Sequence, residues 1–424
     1  MRLALAVLLV LALPAMAEDV TTEQDHQAMM DRLGIRALRP GPSGDEKAPN
    51  HANYDEALAN PFPDWPSLDA ASPAQWWEKR RPEIVAGFER EVLGRPPATV
   101  PAVTWKAEPA ESITIGGRAV WASKAVGHAG DGVDIALRIL LQNQYGPAAP
   151  LLVMFTHPGQ DDERVETLIR DGWNVAQLDP ASVQPDNGAG LRHGIIGLAD
   201  HGGPRKPEDW GALRAWAWGA SRAFDYLASL PAVDASHIGI EGVSRYGKAA
   251  LVTMAFDQRF ALGLIGSSGE GGAKPHRRNF GEAVENLAGS GEYHWMAGNF
   301  LRYAAEGKNA GDLPVDAHML IALCAPRLVF ISYGIPEKGD AKWLDQQGSF
   351  MATVAAGEVW TLLGAKDLGV GRDYRHAVMP PVNQGLLEGE LAWRQDDGGH
   401  TDAPNIPSFL VWADRHIGRP SRLN

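Results

Sequence analysis

Cysteine is almost absent from the 424-residue sequence, in which Cys324 is the only one. A disulfide within one chain is therefore excluded, and stability must come from burial of apolar side chains. Paired Cys or His residues at zinc spacing, the H-E-x-x-H zinc motif and the phosphate-binding G-x-x-x-x-G-K-[ST] loop are also missing. The glycine-rich run 267–274 is too weak a signal for a dinucleotide site. We therefore expect no metal and no cofactor.

Positive charge is scarce as well, since 39 Lys and Arg against 52 Asp and Glu give a formal net charge of −13. Such a charge argues against nucleic acid as a partner.

Residues 1–17 place one cation before an apolar run that ends in Ala-Met-Ala, which predicts a cleaved signal peptide and a periplasmic or secreted protein. A membrane anchor is the alternative, but the run is shorter than the ~20 residues that span a bilayer. We expect no membrane contact after cleavage.

The remaining chain divides into an arm and a catalytic domain. Residues 18–69 are polar and punctuated by Pro and Gly, which predicts an extended N-terminal arm. Residues 70–424 are expected to form one domain. After a predicted antiparallel strand pair over 113–142, short apolar runs alternate with helical patterns. This alternation predicts an α/β fold with a doubly wound, mostly parallel sheet and helices on both faces. In the helix predicted over 208–230, Trp210 falls on the apolar stripe and is expected in the core.

A serine stands where one predicted strand runs directly into a helix, in I-G-I-E-G-V-S-R-Y-G-K over 238–248. Small residues beside Ser244 allow the sharp turn of a nucleophile elbow, as found in α/β-hydrolases. The pattern departs from G-x-S-x-G, because Tyr246 holds the place of the second glycine and Gly247 follows it. The alternative is an ordinary serine N-cap.

Two cations follow the serine in the first turn of that helix. Arg245 and Lys248 oppose the helix dipole there, at roughly 0.3–1 kcal/mol each. A developing oxyanion at the helix start would explain Arg245. Lys248, four residues after Ser244, lies on the same helix face and is expected to reach the substrate. The alternative is a pair of solvated charges.

A late histidine completes the order that α/β-hydrolases require, which is Ser, then acid, then His. His400 lies in G-G-H-T-D, between a short predicted strand and the last helix, and is the predicted general base. His157, in F-T-H-P-G-Q after the first parallel strand, is a competitor that would line the oxyanion side or serve only as a loop histidine.

Together, several segments resemble the glucuronoyl esterases, especially bacterial members. The family motif G-C-S-R-x-G-K is similar to G-V-S-R-Y-G-K here, with Val243 in place of Cys. Further similar segments are ALANPFPDW, RRPEIVAGFEREVLGRPP, WGALRAWAWGASRAFDYL, SSGEGGAKPHRR, CAPRLVFIS and GGHTD. The resemblance implies an α/β-hydrolase fold and a serine esterase. Its substrates would be esters of the (4-O-methyl)glucuronic acid carboxyl group on xylan, including lignin-carbohydrate ester bonds. We expect a monomer whose partner is that glucuronoxylan or lignin-carbohydrate substrate.

The resemblance also implies roles for individual residues. Ser244 would be the nucleophile, His400 the base and Arg245 the oxyanion donor. The side chains implied to contact or border the sugar are Lys248, Glu285, Glu292 and Trp343. Without the resemblance, the two glutamates are interpreted as solvated helix charges and the tryptophan as core.

The triad acid is the point where this chain departs from the family. Many members carry Glu at the position of Ser267, which cannot hold a negative charge. Glu270 is close in sequence but is expected to miss His400. The strand R-L-V-F-I-S-Y-G leads instead to Glu337 and Asp340. Glu337 is preferred because it comes first after the strand, Asp340 is the alternative, and a backbone carbonyl that orients His400 is the third possibility.

Two other functions stay open at this point. One is a glycan-binding protein with a decayed triad, because the family's acid position is not acidic. The other is an acetyl or aryl ester hydrolase that acts on xylan. Lys248 separates the enzyme alternatives, since an acetyl group offers no uronate hydroxyls for an ammonium to bind.

Overall fold

The computed structural model describes residues 20–69, 71–130, 132–143 and 145–423, so the predicted signal peptide at 1–17 lies outside the described residues. The strands are β1 Val103–Ala107, β2 Glu111–Ile115, β3 Arg118–Ala129, β4 Val133–Leu141, β5 Ala149–Phe155, β6 Asn174–Leu178, β7 Val233–Val243, β8 Leu262–Gly266, β9 Leu328–Tyr333, β10 Gly385–Leu386 and β11 Leu391–Gln395.

The α-helices are α1 Thr22–Leu33, α2 Pro73–Gln75, α3 Arg81–Glu91, α4 Glu163–Asp171, α5 Pro180–Val183, α6 Gly194–Ala199, α7 Ala212–Leu227, α8 Arg245–Phe256, α9 Val284–Ala288, α10 Ala317–Ala322, α11 Gln346–Leu362 and α12 Ile406–His416. A π-helical turn, Trp76–Arg80, joins α2 to α3. The 3₁₀ turns are Glu56–Leu58, Ala189–Arg192, Tyr293–Trp295, Gly298–Ala304, Ala310–Asp312, Pro336–Lys338, Lys342–Leu344 and Ala403–Asn405.

In the described residues, eleven strands form one open sheet in the order β1-β3-β4-β6-β5-β7-β8-β9-β11-β10, with β2 paired to β3. The run from β6 through β5, β7, β8 and β9 to β11 is parallel. Antiparallel strands extend both edges, β1 to β4 on one side and β10 on the other. The predicted doubly wound, mostly parallel sheet of the α/β-hydrolase fold is confirmed.

Alternate strand residues point to opposite faces of the sheet. Both faces are therefore apolar here, and helices cover each of them. Val153 of β5 belongs to the larger apolar cluster, which contains α7, α8 and α11 side chains. Its neighbour Leu152 belongs to the smaller cluster, which is built with α4 and α12. Trp210 is fully buried in the larger cluster, which confirms the predicted core stripe. Because β7, β8 and β9 are parallel, their carboxyl ends lie at the same edge of the sheet.

The N-terminal arm differs from the wholly extended segment that its composition predicts, because it begins with the helix α1. Thr21 caps that helix, accepting a hydrogen bond from Gln24 N, and the Gln24 side chain accepts one from Thr21 N in return. Gly34 ends the helix in the left-handed conformation at φ 69°. This T-x-x-Q capping box is a readable helix start signal. The local cap therefore outweighs the polar composition.

Within the described ranges, no helix has both the length and the apolar character needed to cross a membrane.

Candidate active site

Ser244 occupies the sharp turn between β7 and α8, at φ 62° and ψ −130°. A non-glycine residue with positive φ is strained and is often found at functional sites. The turn also requires two glycines, since a Cβ on Gly242 would lie 2.3 Å from the Tyr246 carbonyl oxygen and one on Gly247 2.3 Å from the Gly266 oxygen. The close approach to β8 therefore occurs at 247 rather than at 246, which explains the shifted glycine. Tyr246 packs instead against Trp216, with ring centroids 5.5 Å apart.

His400 lies on the loop after β11, which packs tightly against the end of β9. A Cβ on Gly334 would lie 2.2 Å from the Gly399 oxygen. Ile335 N also donates to the Gly398 oxygen at 2.9 Å. The His400 side chain is 40% exposed, while its Nδ1 lies 2.8 Å from Oδ1 of the fully buried Asp340. Nδ1 of His400 therefore faces Asp340, and Nε2 stays available on the open side of the site.

The second oxygen of Asp340 is also satisfied. Its Oδ2 accepts hydrogen bonds from Ser267 Oγ at 2.9 Å and from Gly334 N at 2.7 Å. These two donors fix the orientation of the buried carboxylate. Ser267, directly after β8, thus donates to an acid on the loop after β9.

Glu337, the preferred acid in the sequence interpretation, does not meet His400. It lies exposed on the 3₁₀ turn Pro336–Lys338. Gly339, at φ 103°, reverses the chain after that turn, and Asp340 N donates to the Ile335 oxygen at 3.1 Å. The chain therefore returns to the end of β9 at Asp340. The preference for Glu337 as the acid at His400 has to be corrected, because Asp340 is the acid that contacts the His400 ring.

Glu270 is equally remote from this arrangement, as expected. Its two carboxylate oxygens lie 2.6 Å from Lys274 Nζ and 2.6 Å from His276 Nδ1, in fully buried surroundings. Both of its oxygens are occupied by this cluster, which holds the loop after β8.

A pair of acids lies directly beneath the turn. Glu241, three residues before Ser244, and Asp402, two residues after His400, are both fully buried. Arg164 Nη1 lies 3.1 Å from Glu241 and 3.5 Å from Asp402. Burial and the Asp402 carboxylate raise the pKa of Glu241 well above its usual value. One guanidinium therefore faces two buried carboxyl groups and ties the serine strand to the histidine loop.

Arg245 extends from the start of α8 with half of its side chain exposed. Its Nη1 donates to Asp186 at 2.7 Å, and the guanidinium lies 5.5 Å from the centre of the Trp295 ring. Burial acts to raise the pKa of Asp186, but hydrogen bonds from His294, Trp295 and Arg245 outweigh it and hold the pKa below its ordinary range. Asp186 takes one of the five donors of a guanidinium, so the others stay available for a ligand.

Lys248 lies one turn further along α8 and is almost completely buried. Its Nζ donates to the Ser268 oxygen at 2.8 Å and lies 3.4 Å from Glu282 Oε2. Glu292 lies near this pair. Burial and the charge of Glu282 raise the pKa of Glu292 to about 7, and its Oε2 is buried without a hydrogen-bond partner. Unsatisfied buried oxygens are rare. We call Lys248, Glu282 and Glu292 the lysine cluster.

Glu282 was missed by the sequence interpretation, which named Glu285 instead. The Glu285 carboxylate pairs with Arg39 of the arm at 2.7 Å, and Arg39 also donates to three backbone oxygens. Trp343 lies half-buried, and its carbonyl oxygen accepts from Glu282 N at 2.9 Å. The segment G-E-A-V-E holds two glutamates three residues apart, and only the fold decides which of them meets Lys248.

His157 lies on the other side of the serine. Its side chain is 63% exposed, and its Nδ1 is 3.6 Å from Asp179. With His400, Tyr246 and Arg164 it lines a cavity of about 290 Å³. In the part of the chain that is described, no group of three or more His, Cys, Asp or Glu side chains is arranged to hold a metal ion.

Known proteins match this chain over most of its length. A family model described as glucuronyl esterase, fungi, matches residues 205–364. The glucuronoyl esterase of Teredinibacter turnerae, of carbohydrate esterase family 15, is 40% identical, with a TM-score of 0.87 over 94% of this chain and 100% of that one. The chain belongs to the glucuronoyl esterase family. The resemblance inferred from the sequence is thereby confirmed.

Other similar proteins match less of the chain. The enzyme of Solibacter usitatus is 29% identical, with a TM-score of 0.73 over 85% of this chain. Carbohydrate esterase MZ0003, from an unknown prokaryote, is 34% identical over 60% of this chain and 56% of its own length. The 4-O-methyl-glucuronoyl methylesterase of Podospora anserina is 27% identical over 73% of this chain and 61% of its own. The chain therefore spans about three fifths of these two curated relatives.

Proposed function

We propose that this glucuronoyl esterase family member hydrolyses esters of the (4-O-methyl)glucuronic acid carboxyl group on xylan, including lignin-carbohydrate ester bonds. One observation carries the proposal, which is that a strained serine, Ser244, starts the same helix that carries the buried Lys248. The reacting group and the cation that faces two glutamates are therefore held one helical turn apart. An ester carbonyl at Ser244 would place a uronate ring at the lysine cluster.

The proposed reaction passes through an acyl-enzyme. Ser244 attacks the ester carbonyl, His400 takes the serine proton and later gives it to the leaving alcohol, and water releases the uronic acid. Asp340 would fix the His400 ring and stabilise its charged form. The support for Asp340 is its 2.8 Å contact with Nδ1 together with the two donors on its other oxygen.

Arg245 is the proposed oxyanion donor, helped by backbone N–H groups around the turn. Asp186 holds its guanidinium from one side. A donor fixed before the reaction costs no reorganisation when charge develops on the substrate oxygen. The exposed half of Arg245 is compatible with that contact.

The lysine cluster is the proposed site for the uronate hydroxyls. The unpartnered Glu292 oxygen supports this role, because a buried carboxyl without a partner is costly unless a ligand completes it. Glu282 replaces Glu285 in the proposal, since Glu285 is engaged by Arg39. Trp343 is proposed to border the ring.

A comparison of substrates tests this function. Purified protein is given methyl glucuronate, benzyl glucuronate and acetylated xylan, and release of uronic acid or acetate is measured. We expect turnover of both glucuronate esters and little release of acetate. Acetate release that exceeds hydrolysis of the glucuronate esters would instead support an acetyl esterase.

We further propose that residues 1–17 direct export to the periplasm or the medium, that 18–69 form an arm and that 70–424 form the catalytic domain. The Arg2 charge, the apolar run and the Ala-Met-Ala ending support the first part. Mass spectrometry of the exported protein is expected to find Glu18 at its N-terminus. An N-terminus at Met1 in that fraction would contradict cleavage.

A further inference from the structure

The two acids beneath the serine turn each keep one buried oxygen without a donor. Oε1 of Glu241 lies 3.1 Å from Arg164 Nη1, and Oδ1 of Asp402 lies 3.5 Å from the same nitrogen. The other oxygens, Glu241 Oε2 and Asp402 Oδ2, have no hydrogen-bond partner, counting only the residues that the structure describes. Buried acceptors in this state are rare, and each costs free energy. We call Glu241 and Asp402 the acid pair.

A single proton satisfies both of these oxygens. A protonated Glu241 donates from Oε2 to Asp402 Oδ2, while its Oε1 continues to accept from Arg164. Burial, the charge of Asp402 and a hydrogen bond between the two carboxyl groups raise the pKa of Glu241 well above its usual value, although Arg164 acts in the opposite direction. With that proton, the acid pair carries the charge of one carboxylate.

The charges that face Glu241 come from two parts of the chain. Arg164 on α4 and Asp162, which caps α4, face it from one side, and Asp402 faces it from the histidine loop. Arg164 Nη2 also donates to Asp162 at 2.7 Å, so three acids already share this guanidinium. Loss of the proton from Glu241 would leave three carboxylates around one guanidinium, two of them fully buried. Such an uncompensated buried charge is strongly unfavourable.

The acid pair connects the two elements that carry the proposed nucleophile and base. Glu241 lies on β7, three residues before Ser244, and Asp402 lies two residues after His400. Asp402 also packs against the end of β8, because a Cβ on Gly266 would lie 3.4 Å from Asp402 Cβ. Interiors packed this closely transmit a local displacement to their neighbours. Repulsion within the acid pair would therefore move the histidine loop relative to the serine turn.

We propose that Glu241 and Asp402 share one buried proton and that, together with Arg164, they are positioning residues that hold His400 in register with Ser244. The inference rests on the proposed function only for the roles of Ser244 and His400. It goes beyond that function, because it makes activity depend on a proton that takes no part in ester hydrolysis. At alkaline pH the proton is lost, the two carboxylates repel each other and the register is lost.

The test replaces one acid of the pair by its amide. In Glu241→Gln an amide N–H takes the place of the shared proton and cannot be lost, so one donor and one carboxylate remain. We measure kcat on methyl glucuronate and Tm from neutral pH to about pH 10. The wild-type kcat is expected to fall reversibly by about tenfold over this range. Glu241→Gln is expected to match the wild type at neutral pH and to keep its kcat at alkaline pH.

The Tm profile gives a second reading that needs no substrate. The folded state holds the proton of Glu241 more tightly than the unfolded chain does, so the stabilisation is present at lower pH and is lost as the pH rises through the folded pKa. The wild-type Tm is therefore expected to fall more steeply at alkaline pH than the Tm of Glu241→Gln. The titration of Glu292 is common to both proteins and cancels in this comparison.

Two further variants sharpen the result. Asp402→Asn also retains one amide and one carboxylate, so it is expected to behave like Glu241→Gln. The double variant retains no carboxylate, and its kcat at neutral pH is expected to fall by about 10–100-fold, far more than the two single changes together. Asp414→Asn changes a buried acid at the far end of α12 and is the matched control, which is expected to keep the alkaline decline in kcat of the wild type.

The outcomes separate the claims. Identical pH profiles of kcat and Tm in the wild type and in a folded Glu241→Gln would overturn the shared proton. Profiles that differ in Tm and coincide in kcat would overturn the positioning role. If Glu241→Gln does not fold, Asp402→Asn decides by the same criteria. No turnover of glucuronate esters by the wild type would overturn the proposed function and the positioning role with it, while the Tm profiles would still decide on the shared proton.

Discussion

The two sides of the candidate site hold their acids in opposite ways. On the strand side, both oxygens of the buried Asp340 are satisfied, by His400, Ser267 and Gly334. On the loop side, Glu292 keeps one buried oxygen without a partner, and burial together with Glu282 raises its pKa to about 7. The first acid has partners on both oxygens before any ligand arrives, whereas the second lacks a partner that a ligand would supply.

That difference follows from which elements carry each residue. Ser244, Asp340 and His400 follow the carboxyl ends of the parallel strands β7, β9 and β11, with β8 between the first two, and backbone hydrogen bonds hold these strands in place. The lysine cluster joins α8 to the segment 281–292, which lies outside the sheet and contains the short helix α9. The proposed chemistry thus relies on the sheet, and the proposed recognition relies on loops.

The largest effect is expected from breaking the satisfied acid. Asp340→Ala is predicted to lower kcat on methyl glucuronate by about 10⁴, as for loss of a triad acid elsewhere. Steady-state kinetics measures the effect. Glu337→Ala, on the exposed turn next to it, is the matched control and is expected to stay near wild type. The reverse result for these two variants would assign the acid to Glu337.

The next effect concerns stability, at the acids beneath the serine. Arg164→Ala leaves Glu241 and Asp402 buried without a cation, which is predicted to cost about 3–5 kcal/mol of unfolding free energy. Arg415→Ala, which breaks an exposed pair with Glu388, is expected to cost only about 0–1 kcal/mol. Urea unfolding of the two variants gives the comparison. Similar small losses of unfolding free energy in both variants would mean that Arg164 and its two acids do not hold the serine strand and the histidine loop together.

A selective loss is predicted on the loop side. Lys248→Ala is expected to lower kcat/KM for glucuronate esters by about 10–100-fold, from loss of charge-assisted hydrogen bonds worth ~1.5–3 kcal/mol. Hydrolysis of a small acetyl ester by the same variant is the internal control, since it offers no ring hydroxyls. Equal proportional losses on both esters would remove Lys248 from recognition and indicate a structural role.

The smallest effect is a pH dependence of stability at Glu292. Its folded pKa of about 7 lies above the usual value of a glutamate, so the folded state binds the extra proton and stability falls as the pH rises towards and through 7. Glu292→Gln cannot lose a proton there. Its Tm is predicted to match wild type near pH 5 and to exceed it above pH 7. Glu285→Gln, which loses the Arg39 pair instead, is expected to gain nothing. A Tm difference that is constant with pH would contradict the raised pKa.

The alternating pattern predicted the sheet, because buried strands and amphipathic helices leave strong signals. Ser244 and His400 could be placed at strand ends for the same reason, as each lies next to a clear strand, and their catalytic roles stay predictions. Asp340 could not be separated from Glu337 by counting, because the reversal at Gly339 depends on a turn that packs against the histidine loop.

The contacts of the two loop glutamates could not be predicted from the sequence, for a physical reason. Glu282 and Glu285 differ by three positions, and their roles depend on Arg39, which lies more than two hundred residues away in the chain. No local pattern contains that contact. The helix α1, in contrast, was missed although its T-x-x-Q cap is local and readable.

The most direct test of a reaction through an acyl-enzyme at Ser244 is the turnover number of Ser244→Ala on methyl 4-O-methylglucuronate. The exposed Ser236, earlier on the same strand, provides the matched variant Ser236→Ala. We expect the turnover number of Ser244→Ala to fall by several orders of magnitude, as for loss of a catalytic serine elsewhere. The turnover number of Ser236→Ala is expected to match that of the wild type. Turnover by a folded Ser244→Ala within about tenfold of wild type would contradict a reaction through an acyl-enzyme at this residue.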